Sequence, residues 1–111
     1  MAQQPITEPF ERIDVAQGKA LYDTGQTVWI DVREPSEWAQ GRIPGATLVP
    51  LNTLLMSPRQ HLNGGEVVFY CAQGVRSAVA CEVAAAVGIR KIYNLEGGII
   101  DWLAKGYPIE G

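Results

Sequence analysis

The residues best suited to do chemistry lie where a strand-like stretch ends on a cysteine. Residues 66–70 have the composition of a β-strand, and Cys71 follows them directly. Small or neutral residues around Gly74 then predict a tight turn, and a helical pattern begins at Arg76 and Ser77. A thiol at this junction lies at a helix N-terminus, where unpaired backbone N–H groups and the helix dipole both favour an anion. The sequence therefore predicts a Cys71 thiolate that forms more readily than usual, although many free cysteines are simply small buried apolar residues.

Three charged residues are further candidates for this site. Asp31 and Arg33 come at the end of another predicted strand. Because ligands bind beyond the carboxyl ends of the strands in parallel α/β sheets, we expect these residues to face the same crevice as Cys71. For Asp31 and Arg33, a structural ion pair or a loop hydrogen bond is the favoured interpretation, ahead of direct catalysis. Arg76 opens a helix, where a cation is mildly unfavourable. A solvated side chain is one interpretation; the other, which its position beside the cysteine loop supports, is a role in holding the thiolate or an anionic substrate.

Segments typical of strands and helices alternate along the rest of the chain. Buried strands are predicted from apolar and β-branched runs at residues 27–32, 46–51, 66–70 and 91–95, with a short edge strand at 10–13. Helices are predicted after Asp14, after Pro35 and from a cap at Asn52 to a stop at Pro58, and at residues 76–87 and 99–105. This alternation predicts an α/β fold, a small parallel sheet with helices on both faces.

Composition limits the classes of function. The chain has 111 residues, of which 47% are apolar and 19% charged, as expected for one globular domain. We expect a flexible leader at 1–9, the domain at 10–107 and a tail at 108–111. A net charge of −3, with nine basic residues and no basic run, disfavours binding to nucleic acid or to an anionic membrane. The first residues contain no apolar run, so neither a signal peptide nor a membrane span is predicted, and the expected location is cytoplasmic.

Metal and disulfide chemistry are not indicated. His61 has no second metal-type ligand nearby in the sequence, so no metal site is expected. In a reducing compartment Cys71 and Cys81 are expected to be free thiols. Cys81 is flanked by alanine and valine within the longest predicted helix, which favours packing in the core; a role in resolving a persulfide on Cys71 is the alternative.

Four motifs in order resemble the successive signatures of a single-domain rhodanese. The resemblance covers residues 10–107, and its motifs are Asp31-Val32-Arg33 with Glu37-Trp38, Gly41-Arg42-Ile43-Pro44-Gly45-Ala46, Cys71-Ala72-Gln73-Gly74-Val75-Arg76-Ser77, and Leu95-Glu96-Gly97-Gly98 with Trp102. It implies a small parallel sheet covered on both sides and a sulfurtransferase that carries a sulfane sulfur on its cysteine. On this basis Cys71 is the nucleophile and Arg76 is the last residue of the loop. The substrate cradle consists of the backbone amides of Ala72, Gln73, Gly74, Val75, Arg76 and Ser77.

The implied reaction is a double displacement that suits a thiol of low pKa. The Cys71 thiolate attacks the outer sulfur of a small donor, thiosulfate or a persulfide, and keeps it as a persulfide that cyanide or a thiol, including a protein thiol, then removes. No metal or organic cofactor is required. Arg42 stands where many relatives have histidine, so a role tied to an imidazole is in doubt, and Arg42 can instead add positive charge at the mouth of the site. Because Arg76 is the only cation of the loop, we expect weak use of thiosulfate, with a KM that is not far below millimolar.

Two alternatives remain at this level. A cysteine and an arginine bracketing an amide-lined loop also describe cysteine-dependent phosphatases and arsenate reductases. Only four residues separate Cys71 from Arg76 here, one fewer than in the phosphatase pattern, and the shorter ring favours a single sulfur atom over a tetrahedral oxyanion. A non-catalytic binding module is the second alternative, and the retained cysteine weakens it.

Overall fold

The computed structural model describes residues 8–111 of the chain. Its elements in chain order are β1 Glu11–Ile13, α1 Val15–Thr24, β2 Val28–Asp31, α2 Pro35–Gln40, β3 Thr47–Leu48, α3 Leu51–Met56, α4 Pro58–His61, β4 Glu66–Tyr70, α5 Val75–Ala86, β5 Lys91–Leu95 and α6 Gly98–Ala104. Strands and helices therefore alternate over most of the chain, as the sequence predicts.

The five strands form one sheet in the order β1-β5-β4-β2-β3, and every neighbouring pair is parallel. Two hydrophobic cores lie on its two faces, because successive side chains of a strand point in opposite directions. Val67 and Phe69 of β4 belong to one core, together with Leu54 of α3 and residues of α5. Val68 and Tyr70 belong to the other, together with residues of α1 and α6. The predicted α/β fold, a parallel sheet with helices on both faces, is confirmed.

Parallel pairing brings the carboxyl ends of β2 and β4 to the same edge of the sheet. Asp31, the last residue of β2, is in register with Tyr70, the last residue of β4. The residues that follow each strand are therefore neighbours, and this edge holds Cys71 and Arg33. The topology thus positions the candidate site where the sequence analysis expected it.

The region after β2 differs from the sequence prediction. Only Thr47–Leu48 of the predicted strand 46–51 pairs with β2. Pro50, which has no N–H to donate to a ladder, takes the N-cap position of α3 in place of the predicted Asn52. Pro58 follows α3 as expected, but it also opens the short helix α4. The longest helix is confirmed and begins at Val75, one residue before the predicted start.

The predicted leader and tail lie at the two ends of the chain. Residues 1–7 of the predicted leader lie outside the described residues. At the other end, the predicted tail pairs with the domain: Arg42 and Glu110 exchange backbone hydrogen bonds of 2.8 and 2.9 Å, and Trp102 Nε1 donates to the Pro108 carbonyl at 2.7 Å. The division into leader, domain and tail stays a prediction. Within residues 8–111, no helix has the length and apolar character needed to cross a membrane.

Candidate active site

Cys71 follows β4 directly, and its side chain is enclosed by the loop that leads into α5. The residue is 2% exposed. The N–H of Gly74 donates a hydrogen bond to its Sγ at 3.1 Å, and the Oγ of Ser77 lies 3.4 Å from the same atom. Gly74 is the N-cap of α5 with a φ of 100°, a conformation that favours glycine and that turns the chain back toward the thiol. We refer to residues 71–77 as the Cys71 loop.

Two opposing effects act on the pKa of the Cys71 thiol. Burial raises this pKa, because it disfavours the charged form. Hydrogen bonds from the hydroxyl and backbone N–H of Ser77, and from the N–H groups of Gly74 and Gln73, lower it by more. The net result is a pKa below the ordinary value, as predicted for a thiol at a helix N-terminus.

The Cys71 loop is held in place by two elements that follow it in the chain. Asn94 of β5 donates from Nδ2 to the Gly74 carbonyl at 3.0 Å. At the start of α6, the N–H of Ile99 donates to the Cys71 carbonyl at 3.0 Å, and that of Ile100 to the Ala72 carbonyl at 3.2 Å. These contacts fix the carbonyl groups of the loop on its outer side, while several of its N–H groups converge on Sγ.

Asp31 and Arg33 form a buried ion pair at the carboxyl end of β2. Arg33 Nη2 lies 2.7 Å from Asp31 Oδ2, and the two side chains are 7% and 0% exposed, respectively. Arg33 also donates to the Gly41 carbonyl at 2.8 Å, which ties this pair to the end of α2. Hydrogen bonds therefore use much of the donor capacity of Arg33 within the protein.

Arg76 is paired with a residue that the sequence analysis did not name as part of the site. Its Nη1 and Nη2 donate to the two carboxylate oxygens of Glu37 at 2.7 and 3.0 Å, a bidentate arrangement. The Arg76 guanidinium lowers the pKa of Glu37 to about 2, and Glu37 in turn raises the pKa of Arg76. The sequence signal for Glu37 was its place in the Glu37-Trp38 motif, but nothing in the sequence shows its partner 39 residues later.

The remaining predicted residues lie around this centre. Arg42 contacts two other side chains: its guanidinium lies 5.0 Å from the ring centre of Trp38, and its Nε is 3.5 Å from a carboxylate oxygen of Glu110. The side chain of Val75 is on the surface, 73% exposed.

Ala72 lines a neighbouring pocket of about 270 Å³, whose wall also contains Arg33, Glu37, Gln40, Gly41, Ile99, Ile100, Leu103 and Ile109. In the described part of the chain, no group of three or more potential metal-ligating side chains comes together.

The fold and this geometry define a small α/β protein with a buried thiol of lowered pKa in a loop at a sheet edge. Residues 14–105 match the family model described as a rhodanese-like domain, and the chain belongs to that family. It is 38% identical to a sulfurtransferase from Allochromatium vinosum over 89 residues, which cover 80% of this chain and 83% of that protein.

Solved structures agree on the fold. A rhodanese-related protein from Thermoplasma volcanium is 29% identical, with a TM-score of 0.79 over 91% of this chain and 98% of the other. A Rhodopseudomonas palustris protein of unknown function, described as a possible tyrosine phosphatase, is also 29% identical, with a TM-score of 0.79 over 99% of both chains. The two descriptions correspond to the two catalytic classes that the sequence analysis weighed.

Proposed function

We propose that the protein is a sulfurtransferase that carries a sulfane sulfur as a persulfide on Cys71 and passes it to cyanide or to a thiol acceptor, which includes a protein thiol. The observation that carries this proposal is the enclosure of one sulfur by the Cys71 loop, with the Gly74 N–H donating to Sγ at 3.1 Å and the Ser77 Oγ 3.4 Å from it. A sulfur carrier needs a nucleophile that is also a good leaving group, and a thiol of lowered pKa is both.

The two half-reactions balance without any other reagent. The Cys71 thiolate attacks the outer sulfur of a donor R–S–S⁻, the donor S–S bond breaks, and R–S⁻ leaves as Cys71–S–S⁻ forms. An acceptor thiolate or cyanide then attacks the outer sulfur of Cys71–S–S⁻, and the Cys71 thiolate is regenerated. Both forms of the enzyme are anions, so the same N–H groups stabilise each of them.

Phosphoryl transfer is less well supported by the same loop. A phosphate dianion presents several oxygens and more charge than a single sulfur, whereas Nη1 and Nη2 of Arg76 both already donate to Glu37. The short ring between Cys71 and Arg76 also favours one sulfur atom. The likeness to a protein described as a possible phosphatase makes aryl phosphate hydrolysis a necessary control.

The test is the intact mass of the protein after exposure to thiosulfate or to an alkyl persulfide. We expect a gain of one sulfur atom that cyanide removes and that Cys71→Ser does not acquire. The matched control is Cys81→Ala, which keeps Cys71 and should gain the sulfur. Aryl phosphate hydrolysis without sulfur uptake from either donor would overturn the proposal in favour of a phosphatase.

A further inference from the structure

Four charged side chains meet beside the Cys71 loop. Asp31 pairs with Arg33, and Glu37 pairs with Arg76. The two pairs are also joined, because Arg33 Nη1 donates to the backbone carbonyl of Glu37 at 3.4 Å. Two positive and two negative charges therefore form one compact cluster whose charges cancel.

Arg76 is the member of the cluster that belongs to the Cys71 loop, in the first turn of α5. Its hydrogen bonds to Glu37 are the main cause of its raised pKa, and the charge of Cys71 is a smaller cause. Its bidentate contact with Glu37 places a carboxylate directly against the cation that an anionic substrate would seek. A dianion approaching Arg76 is attracted by the guanidinium and repelled by Glu37 at nearly the same distance.

The adjacent pocket has a different character. Glu37 and Ala72 both line it, so it lies between the charged cluster and the Cys71 loop. Its wall is largely aliphatic through Ile99, Ile100 and Leu103. Such a surface suits the carbon skeleton of an organic thiol, and among the described residues of its wall the one cation, Arg33, is already paired with Asp31.

We infer that Glu37 determines donor specificity: by neutralising Arg76, it disfavours dianionic donors such as thiosulfate and leaves organic persulfides as the preferred class. This inference rests on the proposed sulfurtransferase function. Glu37 does not touch the reacting sulfur; it acts on the substrate's charge through Arg76.

The decisive variant is Glu37→Gln. A glutamine keeps an oxygen to accept the hydrogen bond that Glu37 Oε1 takes from the N–H of Glu34, and one bond to Arg76, so the local structure has a substitute partner. Glu82→Gln is the matched control, because it removes one carboxylate from the exposed face of α5 and changes the net charge equally. Glu37→Asp keeps the negative charge.

Steady-state kinetics with cyanide as acceptor distinguish the outcomes. In Glu37→Gln we expect the KM for thiosulfate to fall about tenfold, as one charge is uncovered, with kcat within about twofold. The KM for mercaptoethanol persulfide, a monoanion, should change less, and Glu82→Gln should resemble the unaltered protein. Glu37→Asp, which keeps the charge, should lower the KM for thiosulfate less than Glu37→Gln does. The decrease in the KM for thiosulfate in Glu37→Gln should become smaller as salt is added, because salt screens the charge of Arg76.

Two other results have separate meanings. An unchanged or higher KM for thiosulfate in Glu37→Gln, with sulfur transfer intact, overturns the specificity role and makes Glu37 a support for the position of Arg76. Absence of sulfur transfer from either donor in the unaltered protein rejects the proposed function itself, and this inference with it.

Discussion

Asn94 donates a hydrogen bond to the carbonyl of Gly74, the residue whose N–H donates to the Cys71 sulfur. The Asn94 side chain is fully buried between these partners and the carboxylate of Glu96, to which Nδ2 also donates. Its Oδ1, by contrast, has no hydrogen-bond partner in the described structure. A buried amide that leaves one atom unpaired contributes little net stability, so its value lies in the position that it gives Gly74.

Replacing Asn94 should therefore affect the thiol more than the fold. In Asn94→Leu, the two hydrogen bonds of Nδ2 are lost and the unpaired oxygen is removed with them, and we expect the free energy of unfolding to fall by about 1–2 kcal/mol. The Gly74 N–H is no longer held toward Sγ, so the pKa of Cys71 should rise. The pH dependence of Cys71 alkylation measures this, with the exposed Asn63→Leu as control. An unchanged profile in Asn94→Leu would remove Asn94 from the site.

Ser77 should set the thiolate population more directly. Its hydroxyl and N–H are both among the groups that lower the pKa of Cys71. In Ser77→Ala the hydroxyl contribution is lost while burial still raises this pKa, so the midpoint of alkylation should move to higher pH and the rate at neutral pH should fall. Because one buried hydrogen bond is lost, the cost in stability should be about 1 kcal/mol. The exposed Ser36→Ala provides the comparison, and equal midpoints in both variants would contradict the assignment.

The start of α6 packs closely against the Cys71 loop at Gly98. This residue has a φ of 58°, and an added Cβ would overlap the backbone of Ala72 and Cys71. Gly106 has a similar φ of 76° with open space around it, which separates backbone strain from close approach. We expect Gly106→Ala to cost about 1 kcal/mol and Gly98→Ala about 3 kcal/mol or more in the free energy of unfolding. Urea denaturation measures both, and equal costs would mean that α6 can move away from the loop.

The Glu37–Arg76 pair should give stability a defined pH dependence. The pKa of Glu37 is lowered in the folded protein to about 2, below its unfolded value of 4.5. The pair therefore stabilises the fold fully above the unfolded value, and this contribution disappears as the pH falls through that interval toward 2. Both side chains are about one-third exposed, so we expect only about 0.5–1 kcal/mol at neutral pH. Unfolding free energies of Glu37→Gln and the unaltered protein should converge on acidification; a constant difference would contradict this.

The sequence predicts the parts of the site that are local and misses those that depend on register. Cys71 and its loop are contiguous, and the alternation of strands and helices places them at a sheet edge. Asn94 reaches the loop only because β5 pairs with β4 so that Asn94 is opposite Phe69, and no local pattern specifies that register. In the sequence, Glu37 lies in the first turn of a predicted short helix. The helix dipole favours a carboxylate at that position, so the sequence gives no reason to look for a partner. Strand β3 was predicted, but its length was overestimated, because Leu51 of the apolar run belongs to α3, which Pro50 caps.

Cys81 should be unreactive in the native protein although it is a free thiol. It is 0% exposed in the core between α5 and the sheet, and burial raises its pKa well above the ordinary range. A neutral, enclosed thiol is neither a good nucleophile nor accessible to one, so a role in resolving the Cys71 persulfide is disfavoured. Native protein should gain one alkyl group by mass, and denatured protein two. Cys81→Ala should transfer sulfur to cyanide within about twofold of the unaltered rate. Slower transfer in that variant, or a Cys71–Cys81 disulfide after persulfide loading, would show that the core opens during turnover and that Cys81 takes part.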